Sequence, residues 1–294
     1  MTSGILLLDK PAGLSSNAAL QRVRRLFGAP KAGHVGSLDP LATGMLPVCL
    51  GEATKVAGEL VGGRKRYRFA VALGAATDTG DREGAVIETA PVPACDAQTL
   101  QVTLARFTGR QQQVPPMYSA LKHQGRPLYR LARAGIEIER AAREIEISEL
   151  TLRGCEGDVL DLEALCSKGT YVRALAQDIA RALGTCGHVV RLRRLYVEPF
   201  DDEPMHSLDA LASLAATAGE PLAALIAADR ALARLPSVTL SQAAAARLGC
   251  GQTVAEPQCR WAGRVRLYDD RGRFMGLGDA DGAGAVRPRR LFAL

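Results

Sequence analysis

One short stretch of the chain concentrates the residues best suited to chemistry. It runs from Gly33 to Gly44, with the sequence GHVGSLDPLATG, and carries one histidine, His34, and one carboxylate, Asp39. Three glycines and a proline within twelve positions predict a tight loop, neither helix nor strand, that presents both side chains. A carboxylate presented in this way could serve as a catalytic group. His34 taken alone is more often an ordinary hydrogen-bonded histidine.

A structural role for Asp39 is also compatible with the local sequence. Asp followed by Pro commonly starts a turn or a helix, in which the carboxylate accepts a hydrogen bond from a backbone N–H. The residue types alone therefore leave both interpretations of Asp39 open.

Composition limits the classes of protein to which the chain can belong. Its 294 residues, 47% of them hydrophobic and 23% charged, indicate a folded protein with room for one large and one small domain. Apolar runs such as Ile5–Leu8 are much shorter than a bilayer span, and Met1 is not followed by a signal peptide. We therefore expect a cytoplasmic protein without membrane contact. Seven cysteines without a CxxC pair and only four histidines predict reduced thiols and no metal site.

The formal net charge is +6, and the basic residues are grouped rather than spread. Solvated faces explain some of this grouping, but five clusters flanked by apolar residues favour a phosphate-binding track for a polyanionic partner. The clusters are Arg22/Arg24/Arg25, Arg64/Lys65/Arg66/Arg68, Arg126/Arg130/Arg133, Arg191/Arg193/Arg194 and Arg287/Arg289/Arg290.

The elements that must position the loop follow from periodicity and turn signals. Gly109–Pro116 is predicted to be a polar connector and 199–229 to form short helices and a hinge. On the last predicted strand of the large domain, Leu192, Arg194 and Tyr196 are expected to share one face. We predict strands over Gly4–Asp9, Met45–Leu50, Arg66–Leu73, Glu144–Arg153, Val159–Ser167 and His188–Val197, and helices from Ser15–Asn17 through Phe27, over Glu52–Val61 and Asp96–Phe107, and from Arg173 through Leu183.

Several motifs, taken together, resemble one family. The loop at 33–44 is similar to the signature loop of the TruB family, the tRNA pseudouridine-55 synthases. The same family is indicated by DKPAGLSS at 9–16, by Lys65 and Tyr67 followed by the LGxxTDTxDxxG pattern at 73–84, by KGTYVR at 168–173 and by LRR at 192–194.

The resemblance implies a role for individual residues. Asp39 would be the catalytic residue, and Arg173 would pair with it and orient it. Tyr67 would stack on the target base, and Tyr171 and Leu192 would complete its pocket. The looser assignments are His34, which would fill the space that the nucleotide leaves or contact its backbone, and Lys10 and Asp78, which would support loops or contact phosphates.

The implied reaction isomerises uridine 55 in the T loop of tRNA to pseudouridine. It breaks the N1–C1′ bond and joins C1′ to C5 of the same uracil, so it requires no cofactor and no metal. The base must leave the stacked loop, at a cost of a few kcal/mol, and stacking on aromatic side chains of about 1–3 kcal/mol can offset much of that cost. The implied partner is the tRNA T stem-loop, bound by a monomer without an obligate protein partner.

The resemblance also implies the fold and its division. Residues 1–229 would form an α+β catalytic domain with a central mixed, largely antiparallel sheet flanked by helices. Residues 236–294, which contain short predicted strands around glycine turns, are similar to a small β-rich barrel, the PUA-like RNA-binding module.

Two other functions remain open. A non-catalytic tRNA-binding or tRNA-folding protein could use the same scaffold, although phosphate binding alone requires none of Asp39, Tyr67 and Arg173. A nucleoside hydrolase or glycosylase could use a carboxylate near C1′ to direct water, and release of free uracil would identify it.

Overall fold

The computed structural model describes residues 2–201, 203–218 and 221–293, which form the predicted α+β architecture. Helices over these residues are α1 (Ser16–Leu26), α2 (Ala57–Leu60), α3 (Ala97–Ala105), α4 (Leu128–Arg133), α5 (Val172–Ala182), α6 (Leu208–Ala218) and α7 (Gln242–Gly249), with 3-10 turns at Gly51–Val56, Pro221–Ala224 and Arg230–Leu232. Strands are β1 (Gly4–Lys10), β2 (Ala32–His34), β3 (Thr43–Leu50), β4 (Lys65–Leu73), β5 (Ala75–Thr77), β6 (Val86–Thr89), β7 (Gly109–Gln113), β8 (Lys122–His123), β9 (Arg126–Pro127), β10 (Arg143–Glu156), β11 (Val159–Cys166), β12 (Gly187–Val197), β13 (Ser237–Thr239), β14 (Val254–Ala255), β15 (Ala262–Tyr268), β16 (Phe274–Asp281) and β17 (Ala285–Leu291).

The larger sheet has the order β1-β3-β12-β4-β11-β10-β7, with β2 added to β3. Its strands pair antiparallel except β3 and β12, which are parallel and pair only at Thr43–Arg193 and Gly44–Arg194. This contact lies at the first two residues of β3. A cavity of about 350 Å³ lies beside it, with Leu41 and Leu192 among its lining residues.

Gly44 makes the contact between β3 and β12 possible. Its φ is +99°, and a Cβ at this position would lie 2.1 Å from the carbonyl oxygen of Arg194. Any other residue would both strain the backbone and push the two strands apart. The final glycine of the loop is thus required by the sheet that it enters.

The larger sheet is buried on both faces at β1 and β3. Leu6 and Leu8 pack on the side of α1 and α5, and Ile5 and Leu7 pack on the opposite side. Each strand consequently reads as a continuous apolar run rather than an alternating one.

The second sheet, β13-β15-β16-β17-β14, covers that opposite side. Leu277 is buried in the same cluster as Ile5 and Leu7, and Phe274 and Phe292 pack against it. The Lys55 Nζ donates to the carbonyl of Leu291 at 2.7 Å. The predicted β-rich C-terminal segment is confirmed, and it shares a hydrophobic core with the larger sheet.

Two local predictions at the loop and beyond it are wrong in part. Gly33 and His34 belong to β2, and Thr43 and Gly44 begin β3, so only the middle of the predicted loop is irregular. Gly109–Gln113, predicted to be a connector, is β7, because its polar residues pair with β10 at the edge of the sheet.

The prediction that Tyr196 shares a face with Leu192 and Arg194 is also wrong. Leu192 pairs with Phe69 and Arg194 with Tyr67, but an irregularity in register between Arg194 and Tyr196 inserts one residue. A bulge of this kind moves the following side chain to the other face.

The predicted hinge over 199–229 is attached to the edge of β1. Backbone hydrogen bonds of 2.8 Å join Ile5 and Ile226 in both directions, and His206 N donates to Leu7 O at 2.8 Å. The segment therefore contributes short bridges to the sheet.

Candidate active site

The loop around Asp39 is fixed from both sides. The Ser16 hydroxyl, at the start of α1, accepts from the N–H of Leu38 at 2.7 Å and donates to its carbonyl at 3.0 Å. On the other side, the carbonyl of Pro40 accepts from Gly13 N at 2.8 Å and from Lys10 Nζ at 3.3 Å. The backbone on each side of Asp39 is thereby anchored while its side chain points outward.

The carboxylate of Asp39 contacts the guanidinium of Arg173, at the start of α5. Arg173 Nε donates to Asp39 Oδ2 at 2.9 Å, and the exposed fractions are 4% for the Arg173 side chain and 39% for that of Asp39. The other donors of Arg173 bind Thr79 O at 2.5 Å and Tyr118 O at 2.7 Å. Because each of its three guanidinium nitrogens donates a hydrogen bond, Arg173 is a well-fixed partner for an accessible carboxylate.

A second carboxylate stands behind this pair. Asp81 Oδ2 lies 3.7 Å from Arg173 Nε, and the Asp81 side chain is 6% exposed. Its other oxygen accepts from Thr79 Oγ1 at 2.7 Å and from Glu83 N at 3.1 Å. The sequence interpretation did not assign Asp81 a role, although it lies in the TDTxD part of a quoted motif.

Two aromatic side chains lie near Asp39. Tyr67 is buried on β4 next to Arg194 and Leu192 of β12, and Tyr171 is half-buried immediately before α5. Burial raises the pKa of both phenols above the usual tyrosine range, and the charge of Asp39 acts in the same direction. Both phenols are therefore neutral near pH 7.

Lys10 is buried completely beneath the loop. Its Nζ donates to the carbonyls of Pro11 at 2.9 Å and Leu14 at 2.7 Å, as well as to Pro40. Burial lowers the pKa of Lys10 to about 8, with the charge of Asp39 opposing that shift. The contacts of Lys10 are with the backbone of the loop.

His34 and Asp78 lie further from the carboxylate pair. His34 ends β2, and its Nδ1 is buried without a hydrogen-bond partner among the described residues. Burial, together with the charge of Arg194, lowers the pKa of His34, so the ring is neutral near pH 7. Asp78 accepts from Ala85 N at 2.9 Å and from the Tyr118 hydroxyl at 3.2 Å, within the loop that leads to Thr79.

Arg194 is the inward-facing residue that the sequence interpretation misplaced in a phosphate-binding cluster. It is 1% exposed. Its Nε donates to Met45 O at 2.7 Å and its Nη2 to Gly36 O at 2.9 Å, which joins β3 to the first half of the loop. Its position two residues after Leu192 was the signal that it points inward.

Other arginines predicted to bind phosphate are paired with carboxylates of the protein. Arg193 forms a bidentate ion pair with Asp9, in which Nη1 donates to Oδ1 at 2.9 Å and Nη2 donates to Oδ2 at 2.8 Å. Arg68 contacts Asp161 at 2.7 Å, and Arg66 contacts Glu163 at 3.0 Å. Several arginines of these two clusters therefore already bind carboxylates of the protein, and their part in a phosphate-binding track stays a prediction.

The segment around α4 is different. Arg126, Arg130 and Arg133 are exposed, and they form no ion pair within residues 2–201, 203–218 and 221–293. Arg133 lies 5.8 Å from the ring centre of Tyr129. This face presents unpaired positive charge and an aromatic ring.

Two features are absent from the part of the chain that the structure describes. No helix there is long and apolar enough to cross a membrane. Among the same residues, no group of three or more histidine, cysteine, aspartate or glutamate side chains is placed to bind a metal ion.

Three family models match successive parts of the chain. Residues 24–172 match the TruB family pseudouridylate synthase N-terminal domain. Residues 173–233 match the tRNA pseudouridylate synthase B C-terminal domain, and residues 236–292 match the C-terminal domain described as pseudouridine synthase II TruB.

Similar proteins and structures agree with these matches. The chain is 51% identical over 290 residues to tRNA pseudouridine synthase B of Chromohalobacter salexigens, covering 98% of this chain and 94% of that protein. It is also 51% identical to tRNA pseudouridine synthase B of Aromatoleum aromaticum, covering 99% and 93%. In fold, it is similar to a chain of an H/ACA RNP bound to a substrate RNA containing 2′-deoxyuridine, with a TM-score of 0.75, 22% identity and coverage of 99% and 85%. A chain of a Cbf5-Nop10-Gar1 complex gives a TM-score of 0.74, with 24% identity and coverage of 100% and 84%. The chain belongs to the TruB family of pseudouridylate synthases.

Proposed function

We propose that this protein is a tRNA pseudouridine synthase that isomerises uridine 55 in the T loop, with Asp39 as its catalytic residue. The family and the relatives named tRNA pseudouridine synthase B support pseudouridine formation in tRNA. The position of the uridine and the roles of individual residues are our inference.

One observation carries the proposal: an accessible carboxylate contacts a buried guanidinium that is also held by two backbone carbonyls. Arg173 Nε donates to Asp39 Oδ2 at 2.9 Å, while the other two nitrogens of the arginine donate to Thr79 O and Tyr118 O. Phosphate binding alone does not require a buried arginine that orients an accessible carboxylate. A covalent or electrostatic role at a ribosyl centre does require a fixed carboxylate.

The neighbouring side chains suit a uracil that has left the base stack. Tyr67 and Tyr171 supply neutral aromatic surface near Asp39, and Leu192 lies on the same face of the sheet as Tyr67. We propose that these three residues bind the base during the transfer of C1′ from N1 to C5. His34, with its unpartnered Nδ1, would contact the nucleotide or the space that it vacates, and Lys10 and Asp78 would support the loops.

The same proposal extends to organisation and partners. Residues 1–229 would form the catalytic domain, and residues 236–294 a PUA-like module that adds RNA contacts. The protein would act in the cytoplasm, where tRNA is modified, as a monomer on the T stem-loop without a protein partner. We propose no cofactor or metal, because the isomerisation transfers C1′ within one nucleotide.

The test is pseudouridine formation in T-loop RNA, measured by tritium release and by mass spectrometry. Asp39→Asn keeps the size of the side chain and removes its charge. We expect it to abolish turnover while RNA affinity stays within about tenfold, or about 1.4 kcal/mol. Asp270→Asn, in the exposed turn between β15 and β16, is the matched control and should retain full turnover.

Other outcomes would favour the alternatives. Release of free uracil would identify a glycosylase. RNA binding by the wild-type protein with no base isomerised in any tRNA would indicate a non-catalytic binding protein. Isomerisation of a different uridine would retain the activity and correct the position.

A further inference from the structure

Gln113, the last residue of β7, makes two hydrogen bonds to the backbone of a single residue. Its Oε1 accepts from the N–H of Tyr171 at 2.8 Å, and its Nε2 donates to the carbonyl of Tyr171 at 3.1 Å. Gln113 is 5% exposed, whereas Gln112 beside it is exposed. The buried amide thus binds both polar backbone groups of a residue 58 positions away.

Tyr171 is the N-cap residue of α5, and the helix itself constrains only part of its backbone. It is the residue before α5, with φ −100° and ψ 109°, and it makes no side-chain cap. Its carbonyl accepts the first helical hydrogen bond, from Leu175 N at 3.1 Å, but its N–H lies outside the helix. The paired bonds from Gln113 supply the missing constraint on the backbone from which the Tyr171 ring extends.

The chain that follows Gln113 returns to the same place. The carbonyl of Tyr118 accepts from Arg173 Nη2 at 2.7 Å, and the side chain of Ser119 is buried beside Tyr171. Segment 113–119 therefore contacts both the backbone of Tyr171 and the guanidinium of Arg173. The contact at Gln113 is made by a side-chain amide, so a substitution can remove it without altering the backbone.

We propose that Gln113 is a positioning residue for the isomerisation: it fixes the backbone of Tyr171 and thereby the orientation of the aromatic ring that meets the uracil. The proposal rests on the function proposed above. It predicts an effect on the rate of the bound complex rather than on RNA binding, because Gln113 itself is buried.

Gln113→Met tests this role while preserving side-chain volume. We expect single-turnover pseudouridine formation to slow by about 10- to 100-fold, because a small misplacement of a substrate-binding group has effects of that size. The RNA dissociation constant should stay within about threefold. Gln112→Met, on the exposed face of the same strand, should leave both quantities unchanged. Weaker RNA binding with an unchanged single-turnover rate would overturn the proposal.

A double-mutant cycle tests whether the effect passes through Tyr171. In a Tyr171→Ala background, adding Gln113→Met should slow the reaction by less than about threefold further, because the ring to be oriented is gone. Equal slowing in both backgrounds would show that Gln113 acts elsewhere and would overturn the proposal.

Hydrogen exchange on the wild-type protein provides a measurement that does not depend on a variant folding or on turnover. The Tyr171 amide should exchange much more slowly than an open helix N-terminus, because Gln113 binds it in a buried site. Rapid exchange would refute the positioning of Tyr171 by Gln113 even if the enzyme is active. If the exchange is slow but wild-type protein isomerises no uridine, the proposed function fails while the two hydrogen bonds from Gln113 to Tyr171 are supported.

Discussion

Two groups of cationic side chains in this protein differ in their burial and in their hydrogen-bond and ion-pair partners. Beneath the signature loop, Lys10, Arg173 and Arg194 are 0%, 4% and 1% exposed, and each donates to two or more backbone carbonyls. On the α4 segment, Arg126 and Arg130 are exposed and have no carboxylate partner within the described residues. The first group determines the geometry of the protein, and the second is available to an anionic partner.

The comparison shows why clustering in the sequence is a poor guide to phosphate binding. The arginines of β4 and β12 are as dense in the sequence as those near α4, but neighbouring strands place Asp161, Glu163 and Asp9 beside them. An arginine whose donors already bind a carboxylate or carbonyls has little left to offer RNA. Burial and pairing therefore separate structural cations from binding ones.

Arg173→Lys should produce the largest change, because it keeps the charge but removes the planar fork. We expect single-turnover pseudouridine formation to slow by about 100-fold, since lysine cannot bind Asp39, Thr79 and Tyr118 together in this geometry. The RNA dissociation constant should change by less than about threefold. Arg181→Lys, on the exposed side of the same helix, is the control. An unchanged rate would remove Arg173 from the site.

Replacing Arg126, Arg130 and Arg133 with glutamine should have the next largest effect, on affinity instead of rate. We expect the dissociation constant for tRNA to rise about tenfold, and its dependence on salt to become less steep by about two ions released. The rate with saturating tRNA should stay within about threefold. The paired control, Arg66→Gln with Arg68→Gln, should alter affinity by less than about twofold. Equal losses of tRNA affinity in both variants would contradict the distinction between unpaired and paired arginines.

Lys10 allows a smaller, pH-dependent test of the buried group. Burial lowers its pKa to about 8, so between pH 8 and the usual lysine range the unfolded chain binds more protons than the native protein. The contribution of Lys10 to stability therefore rises with pH and is lost as pH falls through about 8. Relative to Lys10→Met, the wild-type free energy of unfolding should increase by about 1 kcal/mol from pH 7.5 to 9, measured by urea denaturation. A constant or decreasing difference would contradict this ionisation.

The sequence predicted the elements whose signals are local. The apolar run of β1, the helix α1 that begins after Ser15 and the strand β4 all appear in the structure. The pairing of Asp39 with Arg173 came from the resemblance to a family, since no local signal links residues 134 positions apart. Its catalytic meaning stays a prediction until turnover is measured.

What escaped prediction depended on contacts between distant parts of the chain. The polar residues of β7 read as a connector because an edge strand pairs through its backbone and needs few apolar side chains. The inserted residue that turns Tyr196 away from Arg194 has no composition signal. Similarly, Gln113 was one of three consecutive glutamines, and only its burial against Tyr171 distinguishes it.

The hydrophobic cluster that Leu277 shares with Ile5 and Leu7 has a consequence for how the protein can be divided. Cutting the chain before β13 would remove the cover from one face of β1 and β3 and expose aliphatic side chains of the strands next to the signature loop. The C-terminal sheet therefore also covers a hydrophobic face of the larger sheet. Expressing the first 235 residues alone would yield a protein prone to aggregate.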